Sequence, residues 1–216
     1  MKISDIYAKY SVPPNLQEHM YGVAAVGRIL VGFLKGKIDL DIDLVTTELL
    51  LHDMGNIVKY EFSNKHIQFS DDEIVRLQKV RADIMAKYGA EEHEVTLNIV
   101  REIGVSEKVI DILNNVGSSK IAQTIESDNW YRKVCSYADF RVAPYGIVSV
   151  DQRFDDAIKR YAGRDHVLAD IQKTEGKRKN ALILERQIQE KSSQSLAAID
   201  DALIAPLLKE LPDFEI

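Results

Sequence analysis

Two histidines and two aspartates occupy inward-facing positions of apolar helical segments. His19 falls within the apolar stripe of residues 16–34, His52 and Asp53 follow a run of leucines, and Asp139 closes a later apolar segment. Burying ionisable groups is unfavourable unless they are paired or bind a metal. One divalent cation would neutralise both carboxylates and bind both imidazoles. Taken singly, each residue also fits a hydrogen-bonded core histidine or a polar pair at a helix end.

The local contexts of these residues match a known pattern. They are Glu18-His19-Met20, Leu50-Leu51-His52-Asp53-Met54-Gly55 and Tyr137-Ala138-Asp139. In this order they resemble the HD superfamily of metal-dependent phosphohydrolases, whose signature is a His, a His-Asp pair and a final Asp. The resemblance covers residues 12–161. It implies that His19, His52, Asp53 and Asp139 bind one divalent ion.

Two nitrogen and two oxygen ligands leave two positions of an octahedron for water and a substrate oxygen. This mixed donor set suits Mn²⁺, Fe²⁺, Co²⁺, Ni²⁺ or Zn²⁺ better than Mg²⁺, which prefers oxygen ligands. The expected cofactor is therefore one divalent transition metal ion.

His93 resembles the first of the additional histidine ligands that binuclear members of the superfamily carry. Where the second would be expected, this chain has Asn114 and Asn115. An amide is a poor ligand for a catalytic transition metal, so the sequence favours a single ion. His93 would then act as a general acid or orient the phosphate. Its acidic neighbours fit an exposed histidine equally well.

Three further residues near the motifs are candidates for binding substrate. Asn56 could orient a water or a phosphate oxygen, and Lys59 could bind phosphate or be a solvated lysine at a helix end. Arg141 is a third candidate, although taken alone it is more typical of a surface charge. His66 lies in a polar segment, residues 62–70, for which a lid over the site is one interpretation. We assign no role to His166.

The resemblance implies an enzyme that hydrolyses a phosphoester of a nucleotide or another small phosphorylated metabolite. Asp53 would accept a proton from the attacking water, while His93 or Lys59 would assist the leaving oxygen. One alternative is an iron oxygenase of the same fold, which needs the complete set of histidine ligands. Another is a regulatory module that holds a structural metal, or a nucleotide, without turnover.

Composition limits the other classes of function. The chain has 216 residues, 45% of them apolar and 29% charged, and a net charge of −6. It shows no basic stripe, which argues against a DNA duplex as a partner. Cys135 is the only cysteine, so an intramolecular disulfide is excluded, and the residue fits as a small apolar filler. The most apolar stretch, residues 21–34, is too short to span a bilayer, and no secretory signal is evident. We expect a cytoplasmic protein.

The elements that position these residues are predicted to be helices. The stripe of residues 16–34 ends near Gly36, which is typical of a helix C-terminus. Ser70 with Glu73, and Ser149 with Gln152, have the spacing of capping boxes that begin helices. Because the sequence has no long alternating runs of β-branched residues, which are typical of strands, we expect about nine or ten helices and no substantial sheet. The predicted fold class is all-α, a compact multi-helix bundle.

The amino-acid composition changes near Gly163, after which charged residues predominate and apolar residues are sparse, so we expect two regions. Residues 1–162 form the HD-type domain, and residues 163–216 form a C-terminal helical extension that packs on the domain or on a partner in a homodimer. The charged run of residues 165–195 predicts a long, largely solvated helix, and residues 196–211 form a last amphipathic stretch.

Overall fold

Eleven α-helices and one two-stranded sheet form the regular structure of residues 1–60, 62, 69–161 and 170–216, which the computed structural model describes. In chain order the helices are α1 (Ile3–Lys9), α2 (Pro14–Leu34), α3 (Ile42–Leu51), α4 (Asp71–Tyr88), α5 (Glu92–Ile103), α6 (Glu107–Asn114), α7 (Ile121–Glu126), α8 (Trp130–Phe140), α9 (Val150–Tyr161), α10 (Ile171–Lys191) and α11 (Asp201–Glu210). Short 3₁₀ helices span Asn56–Lys59, Leu196–Ala198 and Leu211–Asp213. The predicted all-α fold class is confirmed. The helix count exceeds the expectation because helices as short as α1 and α7 carry too little apolar periodicity to be recognised.

Helix α2 is the central element of the bundle. It begins at Pro14, in the first helical turn where proline is tolerated. Its inward face is fully buried at Met20, Val23, Leu30 and Leu34, and it packs against α3, α8 and α11. The predicted end of this helix is confirmed, with Leu34 the last helical residue and Gly36 in a left-handed conformation. No helix in the described parts of the chain combines the length and the apolar character needed to cross a membrane.

Both predicted capping boxes are present. At the start of α4, Ser70 accepts a hydrogen bond from the Glu73 backbone N–H, while the Ser70 N–H donates to the Glu73 carboxylate at 3.0 Å. The same reciprocal pair joins Ser149 and Gln152 at the start of α9. Each box satisfies backbone donors that a helix start would leave unpaired.

Between α8 and α9 the chain makes a small hairpin. Strands β1 (Val142–Ala143) and β2 (Gly146–Ile147) pair antiparallel, with Val142 opposite Ile147. This turn reverses the chain after α8, and the Phe154 ring of α9 contacts the Phe140 ring at the end of α8. The hairpin therefore sets which residues of α9 lie near that end.

The C-terminal helices form part of the same core. Helix α10 begins at Ile171 and ends at Lys191, whereas the sequence predicts residues 165–195; residues 165–169 lie outside the described residues. Ala181, Leu184 and Ile188 are fully buried where α10 packs against α7, α8 and α9. One face of α10 is thus core and the opposite face is solvated.

Candidate metal centre

Three helices present the four residues that the sequence predicts as metal ligands. His19 lies in the second turn of α2, and Asp139 lies in the last turn of α8. His52 caps the C-terminus of α3, and Asp53 begins the turn that follows. Because α2 packs against both α3 and α8, the four side chains converge at one place.

The distances between the side-chain donor atoms suit a single ion. His19 Nε2 lies 3.3 Å from Asp139 Oδ1 and 3.6 Å from Asp53 Oδ2. His52 Nε2 lies 3.6 Å from Asp53 Oδ2 and 4.0 Å from Asp139 Oδ1. Donor atoms of His19, His52 and Asp53 all lie within 4.8 Å of one another, and Asp139, which is not part of this mutually close set, approaches it through the two imidazoles. Ligand atoms about 2.1 Å from a common ion are themselves about 3–4 Å apart, so the cluster has the dimensions of a metal site.

The orientation of His52 leaves its Nε2 atom able to bind a metal ion. Its Nδ1 lies 2.7 Å from the Leu49 carbonyl oxygen, which can only accept, so Nδ1 carries the proton and donates. Its Nε2 is buried and has no hydrogen-bond partner among the residues that the structure describes. A buried polar atom without a partner is unfavourable. In a metal-binding histidine, the ring nitrogen that does not bind the metal usually donates a hydrogen bond, which fixes the tautomer.

Asp139 is held in its ionised form. Burial acts to raise its pKa, but the hydrogen bond and charge of His19, and then the charges of His52 and Arg153, outweigh this effect. The pKa therefore lies well below its usual range. A carboxylate must be ionised to bind a metal. The Asp139 side chain is also 31% exposed, so the cluster is open to solvent on the side of α8.

His93 lies in the first turn of α5, outside the cluster of His19, His52 and Asp53. It is half-buried, and its Nε2 is 3.4 Å from Asn114 Oδ1 at the end of α6. The two positions compared above with the additional histidines of binuclear enzymes thus face each other, and the second carries an amide. The role of His93 stays a prediction.

Asn56 and Lys59 belong to the 3₁₀ turn that follows the His-Asp pair. The Asn56 backbone N–H donates to the Asp53 carbonyl at 2.9 Å, and the Asn56 side chain is half-buried. Lys59 Nζ donates to Glu92 Oε1 at 2.9 Å, in an exposed ion pair with α5. Lys59 is therefore charge-compensated, and it would have to exchange Glu92 for a phosphate group.

The turn at Gly55 packs against the first turn of α5 at unusually short range. The Gly55 N–H donates to Thr96 Oγ1 at 2.9 Å. A Cβ atom at Gly55 would lie 2.3 Å from the Glu92 carbonyl oxygen and 2.7 Å from the Thr96 nitrogen, and both of these are backbone atoms. Only glycine allows this approach, which fixes the direction in which Asp53 leaves α3.

Arg141 holds the fold together rather than facing solvent. It is 5% exposed. Its guanidinium donates to Tyr137 Oη and to the carbonyl oxygens of Val148, Leu196 and Ile199. These bonds join α8 to the segment that precedes α11. We correct the expectation that Arg141 binds substrate, because its donors are already committed to these acceptors.

Glu48 is a buried acid that the sequence interpretation overlooked. It lies on α3 one turn before His52, and neither carboxylate oxygen has a hydrogen-bond partner within the described residues. Burial raises its pKa to about 7, although the nearby charge of His52 acts in the opposite direction. Its sequence signal was a single carboxylate in the apolar run before His52. Cys135, the predicted apolar filler, is buried beside it, and burial raises the pKa of its thiol.

Two histidines considered above, His66 with its lid and His166, lie outside the described residues. Comparison of the chain with protein-family models, with curated proteins and with solved structures gave no match. The resemblance to the HD superfamily therefore stays a prediction from the sequence motifs.

Proposed function

We propose that the protein is a metal-dependent phosphohydrolase whose single divalent ion is held by His19, His52, Asp53 and Asp139. The observation that supports this most is the convergence of two imidazoles and two carboxylates from three helices, with distances of 3.3 to 4.0 Å between imidazole and carboxylate atoms. The buried, unpartnered Nε2 of His52 agrees with it. Imidazole and carboxylate donors together favour Mn²⁺, Fe²⁺, Co²⁺, Ni²⁺ or Zn²⁺.

In this proposal each residue around the ion has a separate chemical role. A bound divalent ion supplies a water of lowered pKa and polarises a phosphoryl oxygen. Asp53 accepts the proton of the attacking water. Asn56 orients the water or a phosphate oxygen, and His93 or Lys59 donates a proton to the leaving oxygen. These roles are what the resemblance implies.

The proposed substrate is a small phosphorylated metabolite, with nucleotides as the first class to test. The net charge of −6 disfavours long polyanions, whose binding depends on extended basic surfaces. A local cluster with a bound cation still accepts one phosphate group. We place the protein in the cytoplasm, which agrees with a single, buried and unpaired cysteine.

The test of this function is phosphate release by protein freed of metal with a chelator. Mn²⁺, Co²⁺, Ni²⁺, Zn²⁺ and Mg²⁺ are added back separately, with a panel of nucleotides and a generic aryl phosphate as substrates. We expect turnover to return with at least one transition metal and to be absent from Asp53→Ala. Asp72→Ala removes an exposed carboxylate from α4 and serves as the matched control, with activity unchanged. Full activity in Asp53→Ala, or no turnover with any metal, would contradict the proposal.

A further inference from the structure

Arg153 lies in the first turn of α9, near enough to Asp139 for its charge to lower the pKa of that carboxyl group. The hairpin of β1 and β2 returns the chain to the end of α8, where the rings of Phe140 and Phe154 pack with centroids 5.6 Å apart. Phe140 directly follows Asp139, and Phe154 directly follows Arg153. The aromatic contact thus joins the segment that carries Arg153 to the segment that carries Asp139.

The Arg153 guanidinium has no partner among the residues that the structure describes. It makes no hydrogen bond there, and no carboxylate oxygen lies within 4.0 Å of it, while its Nε is shielded from solvent. Three other half-buried arginines form ion pairs, Arg132 with Asp111, Arg160 with Asp156 and Arg178 with Asp155, whereas Arg28 and Arg81, like Arg153, form none within the described residues. The Arg153 guanidinium is partly shielded from water and makes no ion pair there, so its donors are available to bind an anion.

The charge of Arg153 affects the pKa of Asp139. The charge of Arg153 is among the influences that lower the pKa of this carboxyl group, after those of His19 and His52. The guanidinium is therefore near enough to act on Asp139 electrostatically without forming an ion pair with it.

The other cationic side chains considered near the cluster are committed to partners. Two carboxylates, those of Asp53 and Asp139, balance one divalent ion. Lys59 is balanced by Glu92, and the donors of Arg141 are committed to the fold. Arg153 is thus a positive charge near Asp139 that forms no ion pair within the described residues, and an anion would be attracted to it.

We propose that the Arg153 guanidinium binds the phosphoryl group of the substrate, an inference that rests on the proposed function and assigns its anion-binding residue. A guanidinium presents planar, paired N–H donors that match two phosphate oxygens. Arg153 would hold the phosphoryl group against the cluster, where Asp53 accepts the proton of the attacking water. Specificity would then be for a terminal phosphate group that offers two free oxygens.

The test measures binding of inorganic phosphate to Mn²⁺-loaded protein by calorimetry, which does not require turnover. Hydrogen bonds to charged groups contribute about 1.5–3 kcal/mol, so Arg153→Gln is expected to weaken phosphate binding about 10- to 100-fold. Arg153→Lys keeps the charge but loses the paired donors, and is expected to bind with intermediate affinity. Lys159→Gln removes an exposed positive charge from the same helix and is expected to bind phosphate as the unchanged protein does.

Mn²⁺ affinity, measured without phosphate, separates this role from a structural one. We expect Arg153→Gln to retain Mn²⁺, because removing a positive charge near Asp139 does not weaken the attraction of the ligands for a cation. Unchanged phosphate affinity in Arg153→Gln would overturn the inference, as would an equal loss in Lys159→Gln or a parallel loss of Mn²⁺. Should Arg153→Gln fail to fold, phosphate affinity in Arg153→Lys equal to that of the unchanged protein would overturn it. Arg153-dependent phosphate binding without turnover of any ester would uphold the anion site and refute the hydrolase.

Discussion

Glu48 places a carboxyl group in the interior one turn before His52, with no hydrogen bond to either oxygen from the described residues. Burial raises its pKa from 4.5 to about 7. The unfolded chain therefore ionises this group at lower pH than the folded protein does. Below about pH 4.5 the carboxyl group is neutral in both states. Between about pH 4.5 and 7 ionisation increasingly favours the unfolded chain, and above this range the effect is constant.

Glu48→Gln tests this residue in metal-free protein. Because one pKa unit corresponds to 1.36 kcal/mol, the variant is expected to exceed the unchanged protein in free energy of unfolding by about 3 kcal/mol at pH 8, and to lose most of this advantage near pH 4.5. Urea denaturation at several pH values measures the difference. Glu190→Gln, on the exposed surface of α10, is the control and should show no such pH dependence. A gap that is constant across pH would refute the assigned pKa.

The two arginines near Asp139 show where sequence reasoning succeeds and where it stops. The four candidate ligands could be predicted because ionisable residues inside apolar helical runs need a partner. Arg141 follows the motif closely and drew the prediction of substrate binding, yet its acceptors are carbonyl groups distant in the chain. Arg153 carries no local signal, because an arginine on an amphipathic helix usually faces water. The tertiary hydrogen bonds of Arg141, and the contact of Phe154 in α9 with Phe140 in α8, distinguish the two.

At the scale of elements, the turn after α3 sets the position of Asp53. Gly55 approaches the backbone of α5 closely, and its N–H bonds to Thr96. The sequence analysis included Gly55 only as part of the motif around His52 and Asp53. The capping boxes could be read directly because their signal lies within four residues, whereas the contact of Gly55 with α5 joins segments that are remote in sequence.

Gly55→Ala is expected to lower the free energy of unfolding by about 1–3 kcal/mol, since the added methyl group displaces backbone atoms. The same substitution at Gly176 in α10 meets no atom within 4 Å and is expected to stabilise by about 0.5–1 kcal/mol through helix propensity. Urea denaturation of both variants measures the contrast. Equal effects at the two positions would mean that the close approach at Gly55 does not constrain the turn.

At the scale of the whole molecule, the C-terminal helices are fastened to the rest of the bundle. Leu184 and Ile188 of α10 are fully buried, and the Ser193 N–H donates to the Phe33 carbonyl at the end of α2 at 2.8 Å. Near the two ends of the chain, Lys2 pairs with Glu215 in an isolated bridge. These contacts favour unfolding of the described structure as one unit. A homodimer built on the solvated face of α10 stays a prediction.

Leu184→Ala tests whether the described structure unfolds as one unit. Truncating a fully buried leucine is expected to lower the free energy of unfolding by about 2–5 kcal/mol, with one transition shared by far-ultraviolet circular dichroism and the fluorescence of Trp130 in α8. Leu208→Ala, at a position 36% exposed on α11, should change stability by less than about 1 kcal/mol. Two separate transitions in Leu184→Ala would show that the C-terminal helices unfold independently.

The amount of Mn²⁺ bound by chelator-treated protein tests most directly whether the four converging side chains bind one ion. We expect saturation at one ion per chain, abolished by Asp53→Asn and retained by Asp72→Asn, which makes the same change on the exposed surface of α4. Stoichiometric binding that survives Asp53→Asn unchanged, or no stoichiometric binding of Mn²⁺ or Zn²⁺ by the folded protein, would contradict it.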